Sequence, residues 1–342
     1  THRHTLFPYT TLFRSRLFDV TTGKEAGPAI PAMWSEAGVR FLPGGLISYN
    51  QLAEKQPGED PLTGATSFIR PLAGGPAVKV LGGKIGGAVI PEEDFPGVSP
   101  SLASPFVIGS SSGARADSGF YVAPQAQVVA GKPVWRQVAT MEDHVEAAVA
   151  LGSELIILTS KGNPARTIAV RPLDSEGNPG PQRVIFSGKE RLILVDVRAG
   201  LDGVYVFATT DGAWRLFYAP DTRKPFREVR LPFEGAMFDQ AANPDGRGVS
   251  FSLTGWSTNM TGVTVYRGVA RVTPIASQTW SGAAAVRAER VEAVSADGTK
   301  VPLVYLHGAK AGPGAPTLLE GYGGYGIDTA APFYDRFGIS MP

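Results

Sequence analysis

Phe120-Tyr121-Val122-Ala123-Pro124 is the segment that best indicates the fold, because its pattern returns at intervals along the chain. Each copy is a short aromatic or aliphatic run that ends at a proline or a turn. Pro124, Pro172 and Pro220 are evenly spaced along the sequence. The other copies are Leu17–Val20, Phe68–Pro71, Ile168–Pro172, Leu216–Pro220 and Val263–Tyr266. A regular period of this kind is typical of repeat architectures.

Further apolar runs precede each copy, and Gly, Pro, Asp-Gly or Asn-Pro turns separate them. The runs directly before the copies are Gly45–Tyr49, Pro105–Gly109, Glu154–Thr159, Gly203–Thr209 and Gly248–Leu253. Earlier runs are Val39–Leu42, Val145–Leu151, Leu192–Val197 and Ala236–Phe238. Three or four short strands per unit are typical of a β-propeller blade. A β-sandwich is the alternative, but it has no reason to repeat at a fixed period. Six copies, the first without inner strands, predict five complete blades and one partial blade.

The composition excludes several classes of function. Of the 342 residues, 43% are hydrophobic and 18% charged, which suits one large or two medium domains with buried cores. A net charge of +1 gives no strong field toward nucleic acid or membrane. Without cysteine the chain has no disulfide and no thiolate nucleophile. We therefore expect a soluble protein with no cofactor, no metal and no nucleic-acid or membrane partner. The cytoplasm is slightly favoured over export.

The C-terminal part has a different organisation. Asp297-Gly298 is a turn dipeptide, Val301–Leu306 is an apolar run, and Thr317–Leu319 is a second one after a Gly/Pro loop. Short apolar runs bounded by Gly and Pro predict a strand, a loop and a second strand. The turn Gly321–Gly326 follows, with four glycines and two tyrosines. Glycines let a backbone approach a ligand closely, and tyrosine hydroxyls can donate hydrogen bonds.

Ser295–Leu303 (SADGTKVPL), Pro316–Leu319 (PTLL) and Gly321–Tyr325 (GYGGY) together resemble the opening of the catalytic domain of the prolyl oligopeptidase family of serine peptidases. Segments of the repeats look like propeller segments of the same family, namely Arg16–Glu25, Phe120–Arg136 and Val249–Trp256. In that family a seven-bladed propeller precedes most of an α/β-hydrolase domain. The resemblance thus implies a mainly β chain: an incomplete propeller of the seven-bladed type, then the first strands of a truncated α/β-hydrolase domain.

The basic and aromatic bias of residues 1–15 matches nothing downstream, so we expect a non-native or disordered leader there. The strand rhythm lapses around Pro274–Ala288, which places the propeller in residues 16–275 and the start of the hydrolase domain in residues 276–342. The resemblance also implies roles for single residues. Tyr322 would donate its hydroxyl to the oxyanion hole, and Tyr325 would line the substrate pocket with Gly323 and Gly324. Glu320 departs from the family, where many members carry an aromatic residue, and we expect its carboxylate to point away from the oxyanion.

The nucleophilic serine, the aspartate and the histidine of the family are absent from this chain, and the resemblance implies that they lie beyond Pro342. The whole protein would then be a monomeric peptidase that hydrolyses short peptides after proline, with the propeller limiting entry. The chain alone would be inactive. Two alternatives remain: a related oligopeptidase that cleaves after Arg or Lys, and a non-catalytic propeller that binds proteins.

Four other motifs have ordinary interpretations. Ser111 is the centre of a literal G-x-S-x-G match, but no helical pattern follows it, so a solvated loop is predicted. Gly321–Gly326 matches G-x-G-x-x-G, but Pro332 interrupts the helix that a dinucleotide site requires. His307 precedes any plausible nucleophile and cannot be the base, so we expect a surface histidine at a strand end. His144 is expected in a polar turn before a strand.

Overall fold

A computed structural model describes residues 14–31, 33, 38–56, 58–60, 62–115, 117–243, 246–256, 258–276, 286–319 and 321. These residues form 24 strands, the short helix α1 (Gln125–Val129) and two 3-10 turns, Ile85–Gly87 and Met141–Asp143. Among the helices of this part of the chain, none is long and apolar enough to cross a membrane. The mainly β class predicted from the repeat is therefore confirmed.

Twenty strands form five four-stranded sheets, each built from four consecutive strands in sequence order. The first sheet contains β3 (Arg40–Leu42), β4 (Leu46–Gln51), β5 (Thr66–Pro71) and β6 (Val78–Leu81). The second contains β7 (Phe95–Pro100), β8 (Phe106–Ser112), β9 (Gly119–Pro124) and β10 (Arg136–Ala139). The third contains β11 (Val145–Leu151), β12 (Glu154–Thr159), β13 (Thr167–Pro172) and β14 (Arg183–Ser187).

The fourth sheet contains β15 (Ile193–Gly200), β16 (Gly203–Thr210), β17 (Ala213–Ala219) and β18 (Arg227–Glu228). The fifth contains β19 (Ala236–Ala242), β20 (Val249–Thr254), β21 (Thr261–Tyr266) and β22 (Val269–Ala276). Two further pairs are two-stranded: β1 (Arg14–Ser15) with β2 (Ile30–Pro31), and β23 (Val286–Val294) with β24 (Lys300–Gly308). Successive four-stranded meanders of this kind are propeller blades.

The chain divides into two compact units, Thr1–Lys161 with Ala169–Arg183, and Gly162–Ile168 with Val184–Pro342. The first unit holds the first two sheets, the second unit holds the last two sheets and the β23–β24 hairpin, and the third sheet contributes to both. The predicted boundary at residues 275 and 276 is not tested by this division and stays a prediction. The leader also stays a prediction, since only Arg14 and Ser15 of it are described.

The repeating run of the sequence is the third strand of each sheet, so the prediction of five complete blades is confirmed. Pro71, Pro124 and Pro172 are the last residues of β5, β9 and β13, and Pro220 follows β17. Proline lacks an N–H group, which makes the end of a strand a suitable place for it. The partial copy at Leu17–Val20 contributes a single bridge between Phe18 and Glu25.

Within each unit, the apolar cores lie between consecutive sheets. In the first unit, Ile69 and Val80 of the first sheet pack with Val107 and Tyr121 of the second. In the second unit, Tyr205 and Phe207 of the fourth sheet pack with Phe251 of the fifth, and the rings of Phe207 and Phe251 meet edge to face at 5.9 Å. Each sheet thus depends on its neighbour for burial, as expected for blades.

Candidate functional site

The residues to which the sequence gives catalytic or substrate-binding roles are Tyr322, Tyr325, Gly323 and Gly324. All four lie outside the described residues, as does Glu320. The oxyanion role of Tyr322 and the pocket role of Tyr325 therefore stay predictions. What the structure describes is the segment that leads to them.

That segment begins with the antiparallel hairpin of β23 and β24, whose register pairs Val286 with Gly308 and Val294 with Lys300. Its turn is closed by hydrogen bonds from Ser295 N to Thr299 O, 2.8 Å, and from Gly298 N to Ser295 O, 2.9 Å. Gly298 has a φ of 84°, which glycine adopts readily. The Thr299 N–H donates to Asp297 Oδ1 and lowers the pKa of that carboxyl. The Asp-Gly turn and the strand after it are confirmed.

The second predicted strand of this region is wrong. Thr317–Leu319 is not in a strand, and the side chains of Leu318 and Leu319 are exposed, at 68% and 82%. The partner of β24 is instead the preceding β23, for which the sequence predicted no strand. An apolar run becomes a strand only when a neighbour satisfies its backbone hydrogen bonds. For β24 this neighbour is β23, to which the turn at residues 295–299 connects it.

His307 lies near the end of β24, as predicted, but its side chain is only 16% exposed and is not freely on the surface. Its Nε2 atom is 3.1 Å from Glu289 Oε1, its Nδ1 atom is 3.1 Å from the Gly308 carbonyl oxygen, and its ring stacks on Tyr305 at 4.9 Å. These contacts make His307 part of the hairpin's own packing.

The prediction of a solvated loop at Ser111 is wrong. Ser111 lies inside β8, opposite Pro96 and Gly119, and is 1% exposed. Its hydroxyl donates to Asp94 Oδ2 at 2.5 Å, and Arg115 Nη2 donates to the same oxygen at 2.5 Å. A buried hydroxyl that donates to a carboxylate has no free access to a substrate carbonyl. Ser111 is therefore structural, and the buried Asp94 explains why a polar residue occupies this strand.

The polar turn predicted at His144 is confirmed. His144 follows the 3-10 turn Met141–Asp143 with a φ of 48°, and β11 begins at the next residue. Its Nδ1 atom is 3.0 Å from Asp117 Oδ2. Thr140 N donates to Asp143 Oδ2, and this hydrogen bond together with Lys161 lowers the pKa of Asp143. These contacts order the turn and form no catalytic arrangement.

Sequence reasoning missed a cleft of about 430 Å³ in the second unit. Four charged and three apolar residues line this cleft, which we call the Arg230 cleft: Arg215, Glu228, Val229, Arg230, Leu231, Phe233 and Glu234. In the sequence these charges look like an ordinary solvated face, and only the fold brings Arg215 beside residues 228–234. No group of three or more potential metal ligands occurs in the described part of the chain.

No protein-family model and no curated protein matches this sequence. Several solved structures do match this chain. One from work on two prolyl endopeptidases matches 94% of this chain and 47% of its own length, at 19% identity and a TM-score of 0.74. Oligopeptidase B from Trypanosoma brucei matches 91% and 44%, at 17% identity and a TM-score of 0.66.

A post-proline cleaving enzyme from Rickettsia typhi matches 94% of this chain and 49% of its own, at 13% identity and a TM-score of 0.64. The chain thus spans about half the length of the structures that it matches. At these identities the likeness concerns the fold. The resemblance seen in the sequence is therefore confirmed at that level: this chain has the propeller fold of prolyl oligopeptidases and of oligopeptidase B.

Proposed function

We propose that this chain is the propeller-containing part of a serine peptidase of the prolyl oligopeptidase family. The observation that carries the proposal is the order of its elements. Five consecutive four-stranded sheets are followed by the β23–β24 hairpin, and 94% of the chain superposes on about half of a prolyl endopeptidase. The SADGTKVPL and GYGGY segments fall at and after this hairpin, where the family places the start of its catalytic domain.

In this proposal the described residues position the Tyr322 hydroxyl and do not themselves take part in the reaction. β24 leads through residues 309–319 to Gly321, the residue before Tyr322. A serine encoded beyond Pro342 would attack the peptide carbonyl, a histidine would take its proton, and an aspartate would orient the histidine. The Tyr322 hydroxyl and a backbone N–H would stabilise the tetrahedral oxyanion. One donor of this kind lowers the barrier by about 3 kcal/mol.

We further propose that the substrates are short peptides cleaved after proline, and that the propeller restricts entry to chains small enough to reach an enclosed cavity. The likeness to oligopeptidase B, at a TM-score of 0.66, favours a second candidate, cleavage after Arg or Lys. Two chromogenic peptides that differ only in having Pro or Arg before the scissile bond distinguish the candidates. The larger kcat/KM identifies the specificity.

The test is the change Tyr322→Phe in a form of the protein extended beyond Pro342. Loss of the hydroxyl removes an interaction made in the transition state, so kcat should fall about 100-fold while KM changes little. Tyr305→Phe, which removes a hydroxyl from the hairpin, is the matched control and should leave kcat unchanged. An unaltered kcat in Tyr322→Phe would remove the oxyanion role.

The 342-residue chain itself should not hydrolyse either peptide. Turnover that a serine-directed phosphonate blocks would show that the chain carries its own nucleophile, and it would overturn the proposal that the triad is encoded beyond Pro342.

A further inference from the structure

The Arg230 cleft of the second unit has an apolar floor. It lies beside β17 and β18 and along the segment 229–235 that leads to β19. Val229 N donates to Leu216 O at 2.7 Å, and Trp214 N donates to Gly235 O at 2.9 Å, so both ends of the segment are fixed to β17. Val229 is buried, and Leu231 and Phe233 pack against the core between the fourth and fifth sheets. The volume of the cleft lies within the range of small-molecule sites.

The charged groups around this floor are only partly engaged with one another. Arg215 Nε lies 3.7 Å from Glu228 Oε1, and Arg215 Nη2 lies 3.5 Å from Glu234 Oε2, which are long distances for ion pairs. Glu234 also accepts a hydrogen bond from Arg290. Arg230 is exposed and has no hydrogen-bond or ion-pair partner among the described residues. The cleft therefore offers a free guanidinium and carboxylates within reach of water.

A second, smaller cleft serves as a comparison, because its cations are not available to a ligand. It lies in the first unit, has a volume of about 120 Å³, and also contains two cations, Lys161 and Arg171. There Lys161 pairs with Asp143 at 3.1 Å, and Arg171 donates to the carbonyl oxygens of Val138 and Gly180. Both cations already have partners, and the space is small. The Arg230 cleft differs in both respects.

We propose that the Arg230 cleft binds a short peptide with free termini. Arg230 takes the terminal carboxylate, since its planar fork of N–H groups matches a carboxylate in a two-point contact. Glu228 takes the terminal ammonium group, and Leu231 and Phe233, which are partly exposed, contact an apolar side chain of the peptide. A simple anion would meet Glu228 and Glu234, and an uncharged apolar ligand would leave Arg230 without a partner. A zwitterion with an apolar middle matches the whole lining.

This inference goes beyond the proposed peptidase function and does not rest on it, because it concerns equilibrium binding to the residues of the Arg230 cleft and no hydrolysis. The test is calorimetric titration of the 342-residue chain with the tripeptide Ala-Leu-Ala. The same peptide with an acetylated N-terminus, and again with an amidated C-terminus, serves for comparison. The free tripeptide should bind saturably in the millimolar range, and each capped form about tenfold more weakly, the effect of losing one hydrogen bond to a charged group.

Two variants assign the contacts. Arg230→Gln should weaken the free tripeptide about tenfold and abolish the preference for a free C-terminus, and Glu228→Gln should abolish the preference for a free N-terminus. Arg223→Gln is the matched control, because Arg223 is an exposed arginine of a nearby turn and does not line the cleft. Mass spectrometry of the recovered peptide shows whether it was bound intact or hydrolysed. Absent binding, equal binding of free and capped peptides, or an unchanged affinity in Arg230→Gln would each overturn the proposal.

Discussion

Ser111 and Asp94 show how one buried contact distinguishes a structural serine from a catalytic one. Asp94 is 1% exposed, and its Oδ1 atom has no hydrogen-bond partner in the described part of the chain. Its charge is therefore compensated mainly by the Ser111 hydroxyl and the Arg115 guanidinium, both on Oδ2. Ser111→Ala should lower the free energy of unfolding by about 2 kcal/mol, the usual contribution of a hydrogen bond to a charged group. Urea denaturation measures this loss.

The matched control at this scale is Ser187→Ala at the exposed end of β14, which should change stability by less than about 0.5 kcal/mol. A fluorophosphonate probe should not label Ser111, because its hydroxyl is buried and already donates. Labelling that disappears in Ser111→Ala, with stability unchanged, would contradict the structural role. The G-x-S-x-G match does not predict the contact of Ser111 with Asp94, because these two residues are distant in sequence and β7 lies between them.

The stability of a single element depends on its backbone conformation as much as on its side chains. The turn Ile85–Gly87 is the clearest case. Gly86 has a φ of 61°, and its carbonyl oxygen accepts a hydrogen bond from Trp135 N at 2.7 Å. A Cβ atom at Gly86 would lie 2.4 Å from Pro133 O and 2.9 Å from the Trp135 ring. Trp135 is a core residue, and its indole N–H donates to Val80 O at 2.8 Å. Gly86→Ala should therefore destabilise the protein by about 3 kcal/mol, because strain and a backbone clash add.

Gly83→Ala is the control for this turn. Gly83 has a similar φ of 53°, but nothing lies within 4 Å of its Cβ position. Only the conformational cost remains, about 1 kcal/mol. Comparable losses of stability in the two variants, measured by thermal unfolding, would show that close packing on Trp135 is not what fixes the turn.

At the same scale the sequence predicted the inner strands well and the outer strands poorly. The second and third strands are apolar because neighbouring sheets cover them, and β16 is buried along almost its whole length. The fourth strand of the fourth sheet lacks this signal: β18 consists of Arg227 and Glu228, and both are exposed. β23 was missed for the same reason, since its only apolar residues are valines and alanines and most of its residues are exposed. Pairing with a neighbour, rather than apolar burial, defines these strands.

For the whole molecule, the sequence predicted the order of the repeats and the strand β24 after them, but neither the partner strand β23 nor the Arg230 cleft. The repeat is visible in the chain because each sheet must bury its faces against the next. The cleft depends on Arg215 and residues 228–234, which only the pairing of β17 with β18 brings together. The hairpin of β23 and β24 is mostly exposed, and its Arg290 contacts Glu234 of the fourth-to-fifth sheet connection.

This organisation predicts that the five sheets fold without residues 277–342. The side chains of Arg290 and Glu234 are 39% and 48% exposed, and such a pair contributes at most about 1 kcal/mol. Removing residues 277–342 should therefore lower Tm by no more than about 4 °C and leave a single cooperative transition.

A longer deletion, of residues 269–342, also removes β22. This strand pairs with β21, beginning at the pair Tyr266–Val269, and its Ala270 packs against the core of the last two sheets. This longer deletion should lower Tm by roughly 10 °C or more, because it exposes one face of that core and an unpaired edge at β21. Circular dichroism melts of the two shortened chains measure the difference. If the shorter deletion already destroys the cooperative transition, the hairpin belongs to the folding unit of the sheets, and the boundary predicted at residues 275 and 276 is wrong.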